Sequence, residues 1–181
     1  MTDKALEALK YPIGQFNCPE KITSQHIESW ISILEHFPDQ LENLVKGLTN
    51  EQLDTPYRPE GWTIRQVVHH LSDSHHHSYT RFKWALTEDK PVIKAYFEER
   101  WAELVDSKSA PINMSLIHLR AIHVKLVYLL KTLSEEDLQA YFIHPETNNK
   151  VPLNFNIGNY AWHSNHHYAH IENLMKLKGW I

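Results

Sequence analysis

The 181-residue sequence predicts an all-α fold, a four-helix bundle with long connections. Apolar residues recur three and four positions apart over long stretches, the spacing that lines one face of a helix. Glycine is scarce, with 5 residues, and strand signals are weak throughout. Two of the helical stretches, far apart in the chain, carry histidine clusters of the kind that meet inside a bundle.

The elements follow in order. Ile27, Trp30, Ile31, Leu34, Leu41, Leu44 and Val45 mark a first helix from about Ser24 to Lys46, with a kink expected near Pro38. Thr63-Ile64-Arg65-Gln66 is a capping box, with Thr63 as N-cap and Gln66 reaching back. It opens a second helix running to about Leu86. Glu88 to Pro111 reads as a connector with a short helix around Glu98 to Leu104. Leu116, Leu119, Leu126, Leu130 and Leu133 mark a third helix from about Asn113 to Leu133. A fourth runs from about Asn154 to Lys178, with Tyr160, Leu174 and Leu177 among its apolar positions. A faint repeat joins Gly47–Leu53 to Thr132–Leu138: each is a leucine, a Ser/Thr cap, an acidic stretch and another leucine, before a loop and a histidine-bearing helix. Residues 1–181 therefore read as one helical domain in two halves, with the second and fourth helices pseudo-equivalent.

Composition excludes several classes. Hydrophobic residues make up 42% and aromatics 11%, which is globular rather than disordered composition. The formal charge is −4 (18 basic against 22 acidic residues), with no basic run, so neither nucleic acid nor an anionic membrane is an expected partner. Cys18 is the only cysteine, which rules out an intrachain disulfide and a Cys-based zinc site. The start, Met1-Thr2-Asp3-Lys4-Ala5, lacks the pattern of a signal peptide, and the cytoplasm is the expected location.

The chemistry lies in the histidines, 14 in all. A neutral imidazole offers one lone pair near neutral pH and is the commonest protein ligand for Zn, Ni, Cu and Fe. One cluster is His69-His70, then His75-His76-His77; the other is His163, His166, His167 and His170. On a helix, His163, His167 and His170 share a stripe, as do His70, Asp73 and His77. A pair one turn apart on the fourth helix plus one histidine from the second would make a three-His site with open positions, the arrangement of catalytic rather than structural metal. Spacing alone leaves His69 and His70 as alternatives, and likewise His163–His167 and His166–His170. Isolated histidines such as His26, His36, His118, His123 and His144 read as ordinary surface or core residues. No Glu-x-x-His, His-Glu-x-x-His, phosphate loop or serine elbow occurs, which excludes di-iron carboxylate, zinc-protease, nucleotide-binding and serine-nucleophile readings.

Longer motifs carry a resemblance. Tyr11-Pro12-Ile13-Gly14, Leu53 to Arg58, Gly61 to Leu71, Asp73-Ser74-His75, Tyr79-x-Arg81-Phe82-Lys83, Trp101 to Leu104 and Trp162-His163-Ser164-x-His166-His167-x-Ala169-His170 together resemble the YfiT group of the DinB-like superfamily over nearly the whole chain. The resemblance implies a DinB/YfiT-like four-helix bundle holding one divalent metal per chain, zinc first and nickel second, with His70, His163 and His167 as ligands. It also implies a homodimer, and a metal-dependent hydrolase acting on a small molecule. Related DinB-like proteins look like transferases that join a low-molecular-weight thiol (bacillithiol, mycothiol or glutathione) to an electrophile. Glu60, where similar sequences often carry glycine, and Asn165, where histidine is common, depart from the pattern.

Three neutral imidazoles leave a +2 charge unquenched, so a water at the open position would ionise near pH ~7 and support hydrolysis. A thiol in the same place would be deprotonated outright and support S-transfer. The ligand set serves both. Asp73, His77 and His170 are the candidate general bases or orienting partners of the ligands, and Tyr79, Arg81 and Trp162 the candidate pocket lining. A non-catalytic metal-binding bundle is the third alternative; a fourth protein ligand such as Asp73 or His77 would mark it.

Overall fold

The structure is a computed structural model that describes residues 2–181. Four long helices form its frame: α2 (Ser24–Val45), α4 (Ile64–Thr87), α7 (Asn113–Leu130) and α8 (Leu153–Leu177). Shorter helices are α1 (Asp3–Lys10), α3 (Asn50–Leu53), α5 (Glu98–Trp101) and α6 (Val105–Ser109). A three-residue strand β1 (Tyr141–Ile143) pairs antiparallel with β2 (Lys150–Pro152), with Phe142 opposite Val151. Among the described residues no helix is long and apolar enough to cross a membrane.

Three helices start where a side chain satisfies their free N–H groups. Thr23, Thr49 and Thr63 each accept from the third residue on, and His26, Gln52 and Gln66 reach back to the cap. The faint repeat corresponds to two capped turns: Thr49 opens α3, and Ser134 exchanges hydrogen bonds with Asp137 before a short 3-10 turn.

Packing order differs from chain order. Both α2 and α4 pack on α7 and on α8. Hence α2 and α4 face each other diagonally, as do α7 and α8. The chain crosses the bundle after α2 and again after α7. The crossing also brings α4 and α8 side by side, and these carry the two histidine clusters.

Several elements differ from the sequence reading. The third helix stops at Leu130, and Leu133 packs against the core from the turn that follows. The connector holds two short helices instead of one. The β-hairpin and α1 were not expected: three-residue strands are too short to show a period, and α1 is one amphipathic stretch of eight residues.

Apolar side chains form two clusters. One gathers Ile31, Leu34, Phe82, Leu126, Phe142 and Ile157; the other gathers Phe37, Leu41, Val68, Leu71, Leu119 and Ile171. Between them, at mid-height of the bundle, lies a belt of buried histidines: His75 from α4, His123 from α7, and His167 and His170 from α8.

Candidate metal centre

Ring nitrogens of His70, His163 and His167 all lie within 4.8 Å of one another. His70 Nε2 and His163 Nε2 are 3.2 Å apart. Two imidazoles bound at 2.0–2.1 Å to a tetrahedral ion would sit about 3.3 Å apart, so the spacing fits a shared divalent ion. Among the described residues no carboxylate, thiol or fourth histidine joins this trio; a second grouping, His166, His167 and His170, shares only His167 with it.

Helix geometry produces the trio. His163 and His167 are one turn apart on α8, and α4 runs antiparallel beside it, placing His70 opposite His163, Ser74 opposite Tyr160 and Ser78 opposite Asn156. Trp62 packs on His70 with ring centres 4.6 Å apart and lies nearly parallel to His167 at 6.3 Å. It thereby restricts both rings.

Burial keeps these imidazoles neutral. Desolvation pulls His70 down to about 3 and holds His163 and His167 well below the usual histidine value; the neighbouring histidines push the same way. Lone pairs are therefore available at neutral pH, as metal binding requires.

Behind the trio sit further histidines. His75, with no exposed surface, places Nε2 3.2 Å from His163 Nδ1 and Nδ1 2.9 Å from His123 Nε2. His123 Nδ1 lies 2.6 Å from the Leu34 carbonyl oxygen. His170 Nδ1 is 3.3 Å from His167 Nδ1, and its Nε2 is 3.0 Å from the Lys10 carbonyl oxygen.

A cleft of about 370 Å³ opens over the trio, walled by Trp62, Arg81, Tyr96, Tyr160, Trp162 and His166. His166 stacks on Trp162 at 4.6 Å, and its Nδ1 is buried with no partner. Arg81 donates from Nη1 to the Tyr160 hydroxyl at 3.4 Å, while its Nε is buried and unpartnered. None of the ion pairs among the described residues uses Arg81. A larger cavity, about 860 Å³, lies between α2 and the end of α7 over Ile27, Ile31 and Leu130, away from the trio.

The structure brings His170 to the trio, through His167, and leaves Asp73 and His77 outside the residues lining the cleft. His77 shares His70's face of α4 but lies about 10 Å further along the axis, at 1.5 Å per residue. There it stacks on Tyr96 at 4.3 Å and abuts Trp101. Asp73 is half-buried, and burial, with the Asp106 charge, pushes its carboxyl up to about 6. Of the expected lining residues, Arg81 and Trp162 are in the cleft; Tyr79 packs against the apolar core instead. His69 turns away, with Nδ1 2.7 Å from the Ser115 hydroxyl.

A four-helix bundle whose crossing chain sets three histidines at the floor of a cleft defines the class. The chain belongs to the DinB superfamily, whose sequence profile matches residues 33–171. Proteins named "Putative metal-dependent hydrolase" from Bacillus cereus and Bacillus anthracis are 52% identical over 172 residues, covering 95% of this chain and 98% of theirs. The solved structure of YfiT from Bacillus subtilis superposes with a TM-score of 0.94 at 46% identity, covering 96% of this chain and 99% of that one. Its description is a probable metal-dependent hydrolase with an unusual four-helix bundle topology.

Proposed function

We propose that the protein is a metal-dependent hydrolase of a small substrate bearing an anionic group, with His70, His163 and His167 holding one divalent ion, zinc first. The observation that carries this reading is the convergence of three neutral ring nitrogens, with no carboxylate among them, at the floor of a cleft whose wall carries Arg81 alongside Glu98 and Glu146. A structural zinc site is normally closed by four protein ligands, whereas three leave room for water or substrate. The names of the relatives point the same way.

The bound ion would supply Lewis acidity and lower the pKa of a water to about 7. The chain's own groups supply the rest. Trp62 and Trp162 shield the floor from bulk water. The Arg81 guanidinium, bonded to the Tyr160 hydroxyl but in no ion pair among the described residues, offers a fork for a substrate carboxylate or phosphate. His166 lines the same cleft; burial holds it at about 4, so at neutral pH its imidazole is unprotonated and able to accept a proton there.

Metal-dependent transfer of a small thiol is the second reading, favoured by the same open position. The two separate experimentally. Hydrolysis of a carboxylate-bearing ester or amide without thiol, rising through a pKa near 7 and lost in His70→Ala, supports the first. Conjugation of a thiol to an electrophile, with sulfur-to-metal absorption in Co²⁺-substituted protein, supports the second. Failure of both in metal-loaded protein would leave a non-catalytic metal-binding bundle.

A further inference from the structure

We infer that His123 and His75 are positioning residues that fix which nitrogen of His163 carries its proton, and that the relay is anchored on a backbone carbonyl freed by Pro38. The inference rests on His163 being a metal ligand as proposed above.

Pro38 lies inside α2. Proline has no N–H, so the carbonyl four residues earlier, that of Leu34, lacks its usual helical donor. Leu34 is fully buried, and an acceptor left unpaired in such a place costs about 1–3 kcal/mol. His123 reaches across from α7 and fills the gap, with Nδ1 at 2.6 Å.

That contact sets a direction. A carbonyl oxygen only accepts, so His123 Nδ1 carries the N–H. A neutral imidazole has one N–H, which leaves His123 Nε2 as an acceptor. His75 Nδ1, 2.9 Å away, must then donate to it, and His75 Nε2 becomes an acceptor in turn. His163 Nδ1, 3.2 Å from that nitrogen, donates, and the His163 lone pair is left on Nε2. Nε2 is the nitrogen that faces His70. Reversing every proton would end the chain with a His123 lone pair set against the carbonyl lone pairs at 2.6 Å. Phe37, next to Pro38, lies against both His75 and His123, with ring centres 5.9 and 5.8 Å away, and holds the two rings in place.

A shorter relay acts on His167 by the same rule. His170 Nε2 donates to the Lys10 carbonyl at the end of α1, where the last carbonyls of a helix lack helical donors. His170 Nδ1 therefore accepts from His167 Nδ1, leaving the His167 lone pair on Nε2. The lone pairs of both α8 histidines thus lie on Nε2, each fixed by a carbonyl that lacks a helical donor.

Long-range proton–nitrogen NMR correlations on metal-free, nitrogen-15-labelled protein report which ring nitrogen of each histidine is protonated. Nδ1 is expected for His163, His75 and His123. His123→Phe fills the space and breaks the relay; His123→Gln keeps an acceptor and a donor on one flat amide. In His123→Phe, His163 should become a mixture of tautomers, and metal affinity, measured by chelator competition, should fall about 10- to 100-fold, the usual effect of losing a partner behind a metal ligand. His123→Gln should recover most of both. Pro38→Ala supplies a competing N–H and should move the His123 Nδ1 proton to higher field; it reads the same anchor if His123→Phe does not fold. Wild-type His163 protonated on Nε2, or His163 and metal affinity unchanged in His123→Phe, would overturn the inference. Metal retained by His163→Ala would instead overturn the ligand assignment, while the metal-free spectra still decide the relay.

Discussion

Glu60 holds a backbone φ of 56°, in the left-handed region that costs a residue with a side chain about 1–2 kcal/mol. It precedes Gly61, where an added Cβ would lie 2.5 Å from Arg58 Cγ, so the turn into α4 is tight on both residues. The left-handed backbone is the conformation that glycine adopts without cost, so glycine would suit the position better. Glu60→Gly is expected to raise stability by up to about 1 kcal/mol, read as an increased denaturation midpoint with an unchanged slope. A lower midpoint would show that the Glu60 side chain has a stabilising role. The clusters on α4 and α8 were legible in the sequence as candidate ligands, although spacing left the pairing open and the resemblance made the choice. His123 was not legible. It shares its helix only with His118, five residues earlier and off its face, and its two partners, the Leu34 carbonyl and His75, come from other helices, so no local spacing could reveal it.

Arg65 ties three elements together. Its side chain is only 5% exposed, and it donates to Asp54 at 2.6 Å, to Asn50 in α3 at 2.9 Å and to the Ala110 carbonyl at 3.0 Å. These bonds fix the start of α4, and with it the approach of Trp62 to His70. Arg65→Met keeps the buried stem and removes the donors to Asp54, Asn50 and the Ala110 carbonyl, which then keeps only His69 Nε2 at 3.3 Å. It should cost about 1–3 kcal/mol in equilibrium unfolding, and a loss below about 0.5 kcal/mol would show that water replaces the guanidinium. The long helices were readable because their apolar stripes are local, as are the threonine caps of α2 and α4. The order in which they pack was not, because it depends on two crossings of the bundle. The face shared by His70 and His77 was likewise readable, but periodicity gives direction around an axis and not how far the connector reaches along it; Tyr96 and Trp101 cover His77.

The whole molecule sandwiches a belt of neutral histidines between two apolar clusters, and this sets its response to acid. Burial holds His123 and His170 at about 4, His70 at about 3, and His75, His163 and His167 well below the ordinary value near 6.5. Above pH 6.5 both folded and unfolded chains carry these rings neutral, and they contribute nothing to the pH dependence. Below it the unfolded chain takes up protons that the folded chain refuses, so stability falls as pH falls, by up to about 1.4 kcal/mol per pH unit for each ring. Metal-free protein should therefore lose stability steeply between pH 6.5 and about 4; a midpoint of denaturation flat across that window would mean the belt is already hydrated or charged. Metal should oppose this loss, since it binds only the folded arrangement of α4 and α8: about 4 kcal/mol at ~1,000 times its dissociation constant. Chelator should accordingly lower the melting temperature of wild type and leave that of His70→Ala unchanged; equal shifts in both would place the metal elsewhere. The most direct measurement is the metal content of untagged protein purified without nickel resin, for wild type and for His70→Ala, His163→Ala, His167→Ala and His166→Ala. One divalent ion per chain is expected in wild type, most of it retained in His166→Ala and lost in the other three, whereas full retention in His167→Ala would contradict the three-histidine centre.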